Sequence, residues 1–253
     1  MVGTTMPATG NNSLLNYSLS IRQCADGFSF FVYSASSGQL LMQDNVHCTG
    51  EETLADALER GLNLSRIKGR RYERVTLLSS SPSTRVPLDE FRREDMLAVY
   101  RLTFSGMSVR HEDMRFQLLP GLEVVEIFTL SSQVVSVLQT HYPSAVIKSF
   151  YGSLLEYVSE KQQGATTPVT YHAVVVEGGL LIVVLKRGRL AFANVFHAEH
   201  DDDKLYFMLY VWKTLDLDAW HDPCMLYGAS PSLHDSVADY LHNVELKDIN
   251  LDV

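Results

Sequence analysis

The sequence predicts a mixed α/β protein in which one order of elements, β-β-β-α-β, occurs twice. Residues 21–47 and 174–197 each read as three strands separated by two glycine turns. Each triple of strands precedes an amphipathic helix and then a short apolar strand. The distance between the copies far exceeds the roughly 20–50 residues of a solenoid repeat, so we expect two related units.

The bulk composition limits the classes of function. The chain has 253 residues, 46% hydrophobic residues and a formal net charge of −9. An acidic chain without a long basic run gains little from a phosphate backbone, so we expect no nucleic-acid binding. We expect no membrane span, since no apolar run approaches the roughly 18 residues of a span, and no signal peptide, since the first twenty residues lack a charged n-region and a long apolar h-region. Three cysteines without metal-ligand spacing favour free, buried thiols and a cytoplasmic location.

The first half predicts a flexible N-terminus at residues 1–14 and a first subdomain at 15–114. Its strands are expected at 15–23, 27–34 and 39–47. The segment that follows, TGEETLADALERGLNL, is typical of a helix that Thr49 or Gly50 could cap. The strand VTLLSSS then completes the first copy of the repeat.

The second half predicts a second subdomain at residues 115–253. Residues 115–165 form a segment between the two copies, and residues 169–245 repeat the first unit. The helix after the second triple has the sequence DDDKLYFMLYVWKTLDLD. Its Phe207, Tyr210 and Trp212 could belong to the core or to an interface.

The two copies align turn by turn, as an internal duplication would. The aligned pairs are Gly27 with Gly179, Gly38 with Gly188, and His47 with His197. This order resembles the actin-like fold, also called the ribonuclease H-like or sugar-kinase and actin superfold. The resemblance covers about residues 15–245. It implies two β-β-β-α-β-type domains that face each other across a cleft.

Three passages narrow the resemblance to one family: LSIRQCADGFSFFV, LAFANVFHAEHDDDKLYFMLYVWKTLDLD and LYGASPSLHD. They resemble a bacterial family called domain of unknown function thirty-eight twenty-two. At the level of fold, the chain also resembles actin-like subunits of bacterial pilus and secretion machines. These resemblances imply a fold and leave the chemistry open.

Actin-like proteins that hydrolyse ATP hold phosphates and magnesium at small, polar hairpin turns, and the resemblance indicates where those turns fall. Bulky Phe28, Leu180 and Leu181 stand where small residues are expected, so the turns look degenerate. We therefore expect a non-catalytic scaffold or protein-interaction module, a pseudo-ATPase without a cofactor. The alternative is an ATPase or kinase that uses ATP and magnesium. The candidate cleft residues are Asp26, Gly27, Glu177, Gly178, Gly179, Gly228, Ala229 and Ser230.

The segment HAEHDDD is the densest group of potential metal ligands. His197, His200 and Asp201 could bind a metal, which would suit a metal-dependent hydrolase, a further alternative. The same residues are also typical of a strand end followed by a helix start. The partner that we expect is another protein, and a homo-oligomer is possible.

Overall fold

The computed structural model describes residues 17–162 and 167–249, in which six α-helices and thirteen β-strands alternate. The flexible N-terminus predicted at residues 1–14 lies outside them. In chain order the elements are β1 Tyr17–Cys24, β2 Gly27–Ser34, β3 Leu40–His47, α1 Leu54–Leu62, β4 Tyr72–Ser79, β5 Thr84–Pro87, α2 Met96–Thr103, β6 Met114–Leu119, β7 Val124–Thr129, α3 Ser132–His141, β8 Val146–Ser149, α4 Phe150–Lys161, β9 Val169–Val176, β10 Gly179–Lys186, β11 Arg189–His197, α5 Asp201–Thr214, β12 Cys224–Tyr227, α6 Pro231–Ala238 and β13 Val244–Lys247.

The chain divides into two compact units, and it passes between them more than once. The first unit holds residues 17–80 and 131–147, and the second holds the described residues of 81–130 and 148–249. This division differs from the boundary expected after residue 114. The reason is that α3 packs on α1 of the first unit, whereas β5, β6 and β7 belong with the second.

The first unit is built on a mixed sheet with the strand order β3-β2-β1-β4-β8. The first three strands are antiparallel, and β4 joins β1 in parallel after the α1 crossover. Such a crossover is what a parallel pairing requires. Helix α1 begins at Thr53, which forms a capping box with Asp56, so the cap expected at Thr49 or Gly50 is wrong. Both Thr49 and Thr53 donate their backbone N–H to a carboxylate three residues on, but the Thr53 hydroxyl also accepts from the Asp56 amide, which completes the box at the first turn of the helix.

The second unit repeats this plan in the order β11-β10-β9-β12-β13. Again three antiparallel strands are followed by a helix and by a strand that pairs in parallel with the first of them. Helices α5 and α6 cover one face of this sheet, where apolar side chains of β10 alternate into the core. The second unit also carries a three-stranded sheet, β5-β7-β6, on which α2 packs.

The pairing register of the two triples agrees residue by residue. Gly27 lies opposite His47 in the first unit, and Gly179 lies opposite His197 in the second. The β2–β3 hairpin shifts register between Val32 and Tyr33, and the β10–β11 hairpin shifts at the corresponding position, between Val184 and Leu185. A β-bulge at the same point of both hairpins bends both third strands in the same place.

Candidate functional site

The first candidate turn joins β1 to β2 through only two residues, Ala25 and Asp26. A Cβ atom on Gly27 would collide with the backbone carbonyl oxygen of Val46 on β3. The turn carbonyl of Asp26 accepts a hydrogen bond from the Cys48 amide at 2.7 Å. Glycine is therefore required here because the third strand approaches the backbone closely.

The second candidate turn has the same construction. Two residues, Glu177 and Gly178, join β9 to β10, and Gly178 has a positive φ of 66°. A Cβ atom on Gly179 would lie 2.7 Å from the carbonyl oxygen of Phe196 on β11. The Gly178 carbonyl accepts from the Ala198 amide at 3.2 Å. In both units, a carbonyl oxygen of the third strand occupies the space in which a side chain at the hairpin glycine would begin.

The side chains that follow the two glycines lie in the interior. Phe28, Leu180 and Leu181 are fully buried, and Leu180 packs in the core between the sheet and α5. The carboxylate of Asp26 lies 3.1 Å from Nδ1 of His47, and both side chains are mostly exposed. The polar groups at the first turn thus contact each other, while the residues after both glycines build the cores.

The third candidate turn, Gly228 to Ser230, connects β12 to α6. Gly228 has a positive φ of 64°, which glycine adopts at little cost. The Ser230 hydroxyl caps α6 by accepting from the Leu233 amide at 3.0 Å. The same hydroxyl donates to Oδ2 of Asp201 at 2.8 Å. Ser230 therefore links the starts of α5 and α6.

The proposed metal ligands His197, His200 and Asp201 have other structural roles or partners. Asp201 accepts from Lys204 Nζ at 3.0 Å and from Ser230, and these hydrogen bonds lower the pKa of its carboxyl group. His197 lies 3.7 Å from a Glu199 oxygen, and His200 is the N-cap residue immediately before α5. Over residues 17–162 and 167–249, no three His, Cys, Asp or Glu side chains form a group suited to a metal.

The three cysteines are free thiols, but they differ in burial. Cys224 is fully buried in the second core, and burial raises the pKa of its thiol. Cys24 and Cys48 are only half-buried, so the expectation of three buried cysteines is wrong for these two. Both lie beside the exposed turn at Asp26, where little chain is available to cover them.

Sequence reasoning missed a buried polar cluster in the second unit. Arg85 Nε lies 2.7 Å from one Glu126 oxygen, and Arg85 Nη2 donates to the other at 3.1 Å. Ser149 also donates to Glu126, and the third Arg85 nitrogen, Nη1, donates to the Ala193 carbonyl on β11 at 3.3 Å. Burial raises the pKa of Glu126, while Arg85 opposes the shift. The signal was a single glutamate inside the apolar strand VVEIFT.

A second buried polar residue, His172, lies in the middle of β9. Its ring nitrogens lie 3.3 Å from the Tyr227 hydroxyl and 3.0 Å from the Thr170 hydroxyl. Burial lowers the pKa of His172 to about 3, so the ring is neutral at physiological pH. We assign it a structural role, because its contact with Tyr227 joins β9 to the adjacent β12 and its contact with Thr170 lies within β9.

The expectations for the helix after β11 can be checked side chain by side chain. Trp212 lies in the core and donates from Nε1 to the Leu217 carbonyl at 3.0 Å. Phe207 is half-buried. Tyr210 is 53% exposed, and its neighbour Tyr206 is 62% exposed. No helix within the described ranges has the length and hydrophobicity needed to cross a bilayer.

Comparisons with known proteins identify the fold and the family. A protein of Bacteroides thetaiotaomicron with an actin-like ATPase fold and unknown function matches with a TM-score of 0.78 and 26% identity, over 94% of each chain. A PilM-PilN type IV pilus biogenesis complex matches with a TM-score of 0.54 and 12% identity, over 92% of this chain and 88% of that one. A search of the curated proteins finds no significant match.

The likeness to these solved structures confirms the actin-like fold predicted from the repeated strand order. The family model described as "Protein of unknown function (DUF3822)" matches residues 9–244, which is nearly the whole chain. The chain therefore belongs to the DUF3822 family, as its three diagnostic passages indicated.

Proposed function

We propose that this protein is a non-catalytic actin-like module that binds another protein. One observation carries the proposal. At both hairpins, the space beside the glycine, where a Cβ atom would stand, is filled by a carbonyl oxygen of the third strand. A phosphate cradle needs the reverse, small residues and outward backbone N–H groups that an anion can approach. A carbonyl oxygen at that place repels phosphate oxygens and takes up the space that they would need.

The same features argue against the enzymatic alternatives. Asp26, the position for a magnesium-holding aspartate, contacts His47 instead, and Ser230 is committed to the cap of α6. The metal-dependent hydrolase would need His197, His200 and Asp201 to converge, whereas Asp201 already accepts from Lys204 and Ser230. A pseudo-ATPase that keeps the fold and has lost the phosphate site fits these contacts best.

Further features extend the proposal. The matched bulges and hairpin glycines support an origin by internal duplication. Free thiols favour a reducing compartment, so we propose a role in the bacterial cytoplasm. The likeness to a PilM-PilN complex, an assembly of two proteins, supports a protein partner in preference to a small molecule. A second copy of this chain is one such partner.

A thermal melt with millimolar ATP and magnesium tests the nucleotide half of the proposal. A ligand at about 100 times its Kd adds about 2.7 kcal/mol of stability, a shift of several degrees for a chain of this size. We expect no shift. A shift that Asp26→Ala abolishes would overturn the proposal, and a zinc or manganese shift that His200→Ala abolishes would favour the hydrolase.

Selection of random peptides displayed on phage against the full chain tests the protein-binding half. We expect enriched peptides that bind the folded protein in solution with micromolar or tighter Kd, measured by fluorescence anisotropy. A selection that enriches no binding peptide would count against a protein-interaction role. Heat-unfolded chain serves as the control, because a real docking surface disappears on unfolding.

A further inference from the structure

Five aromatic side chains form a continuous row across β11 and α5 of the second unit, which we call the aromatic row. Phe192 stacks on Phe196, and Phe196 stacks on Phe207 with ring centroids 4.6 Å apart. Phe207 meets Tyr206 edge to face at 5.3 Å, and Tyr206 stacks on Tyr210 at 6.1 Å with the rings inclined by only 16°. The row runs from the half-buried edge strand outward to the solvent face of the helix.

The core does not account for the exposed end of this row. Met208, Val211 and Trp212 already supply the buried face of α5. The two stacked tyrosines lie on the other face, one helical turn apart, and more than half of each is exposed. Exposed tyrosines held in a fixed stack are typical of interfaces, since their rigid rings lose little entropy on binding.

The charge around the row indicates the chemistry of its partner. Residues 199–249 contain eleven acidic and three basic residues, a balance of −8 within a chain of net charge −9. One of the three bases, Lys204, is buried and bonded to Asp201. Asp202 and Asp203, both exposed, lie one turn before Tyr206 on the helix. The tyrosine stack thus lies in a segment with a strong excess of negative charge.

From these observations we propose that the exposed end of the aromatic row binds an arginine- and lysine-rich segment of a partner protein. A guanidinium group stacks on a tyrosine face through cation–π attraction, and a nearby carboxylate can hold the same group with paired hydrogen bonds. Tyr206 and Tyr210 supply the faces, and Asp202 and Asp203 supply the carboxylates. This inference deepens the proposed protein-binding function and rests on it.

The experiment compares peptides selected on the full wild-type chain with their binding to two variants. Tyr206→Ser with Tyr210→Ser removes the stack, and Asp202→Asn with Asp203→Asn removes the charge while keeping the helix. We expect the enriched peptides to be rich in Arg and Lys. The Kd of these peptides should rise at least 10-fold in each double variant. It should also rise for the wild type as the salt concentration is raised.

A matched control uses Tyr240→Ser, which removes a tyrosine of similar exposure from the same acidic segment but outside the row. It should leave peptide binding unchanged, and circular dichroism should show that all variants remain folded. If the enriched peptides are not basic, or if they bind the tyrosine variant as tightly as the wild type, the proposal for the aromatic row is overturned. The proposed protein-binding function would still stand. Failure to enrich any peptide would overturn both.

Discussion

The two units share one sheet plan but differ in what covers the helix after the third strand. In the first unit, α3 packs on α1, and His141 Nε2 lies 2.9 Å from a carboxylate oxygen of Glu59. In the second unit, α5 packs on α6 and leaves the tyrosine stack exposed. The comparison teaches that one fold can use equivalent helices differently, since α1 is covered by a neighbouring helix of its unit while α5 keeps two stacked tyrosines exposed.

The two units also differ in their content of charged side chains. The described residues of the first unit contain seven acidic and seven basic side chains, whereas those of the second contain twenty-two acidic and fourteen basic ones. The net charge of the protein therefore belongs to the second unit. For the proposed protein-binding function, we expect recognition to fall to the acidic second unit, because charge complementarity steers association.

The largest effect is expected from the buried ion pair between Arg85 and Glu126 in the second unit. Arg85→Ala leaves the carboxylate of Glu126 buried without its counter-charge, which should cost about 3–5 kcal/mol of unfolding free energy. Urea unfolding at neutral pH measures it. The control is Arg189→Ala, which breaks an exposed pair with Glu123 and should cost about 0–1 kcal/mol. Equal losses would show that burial does not distinguish the two pairs.

The hairpin glycines give the next effect and compare the units directly. Gly27→Ala and Gly179→Ala each push a methyl group against a carbonyl of the third strand, at a cost of about 1–3 kcal/mol. The contact is closer at Gly27, so that variant should lose more. Thermal unfolding provides the ranking. Gly106→Ala, which meets open space, is the control, and a loss there as large as at Gly27 would contradict the close-approach argument.

The last effect depends on pH, is smallest near neutral pH, and arises from one position that differs between the sheets. His172 lies opposite Val183, four residues after the hairpin glycine, where the first unit has the buried Ser20 opposite Phe31. The folded pKa of His172 is about 3 and the unfolded value is about 6.5. The unfolded chain therefore binds the extra proton, and stability is lost as pH falls from about 6.5 towards 3, by up to about 1.4 kcal/mol per pH unit.

His172→Ser tests this by placing the first unit's residue in the second. The variant should be less stable at pH 7.5, because the ring and its hydrogen bonds are lost, but the deficit should shrink at pH 5.5 and 4.5. Denaturant midpoints at the three pH values measure the trend. Ser20→Ala, which removes no titratable group, should run parallel to wild type. A constant deficit for His172→Ser would contradict a neutral histidine in the sheet.

Much of the fold could be predicted from the sequence because its signals are local. Glycines at the turns and β-forming residues between them located both triples of strands to within about two residues. Helix caps were harder to predict, since Thr49 and Thr53 both offer a hydroxyl with an acidic residue three positions on, and only Thr53 borders the first helical turn. The expected boundary after residue 114 placed β5 in a different subdomain from β7, because the contacts of the β5-β7-β6 sheet join segments distant in sequence.

The candidate turns were located correctly, while their construction depended on tertiary contacts. Asp26 and Gly27 mark a hairpin in any fold, but the role of Gly27 depends on Val46, nineteen residues later, whose carbonyl fills the space beside it. The same holds for Gly179 and Phe196. The sequence can locate a turn, because turn geometry is local, but it does not reveal which distant backbone atoms pack against that turn.

The sequence by itself determined the repeated β-β-β-α-β order, the matched glycines and histidines, and the acidic balance of the chain, because each follows from residue type and spacing. Tertiary structure alone decided that Phe207, Tyr206 and Tyr210 would line up with Phe192 and Phe196, and that Arg85 would meet Glu126. The physical reason is that stacking and ion pairing depend on distances between elements, and those distances are set only when the sheets and helices pack.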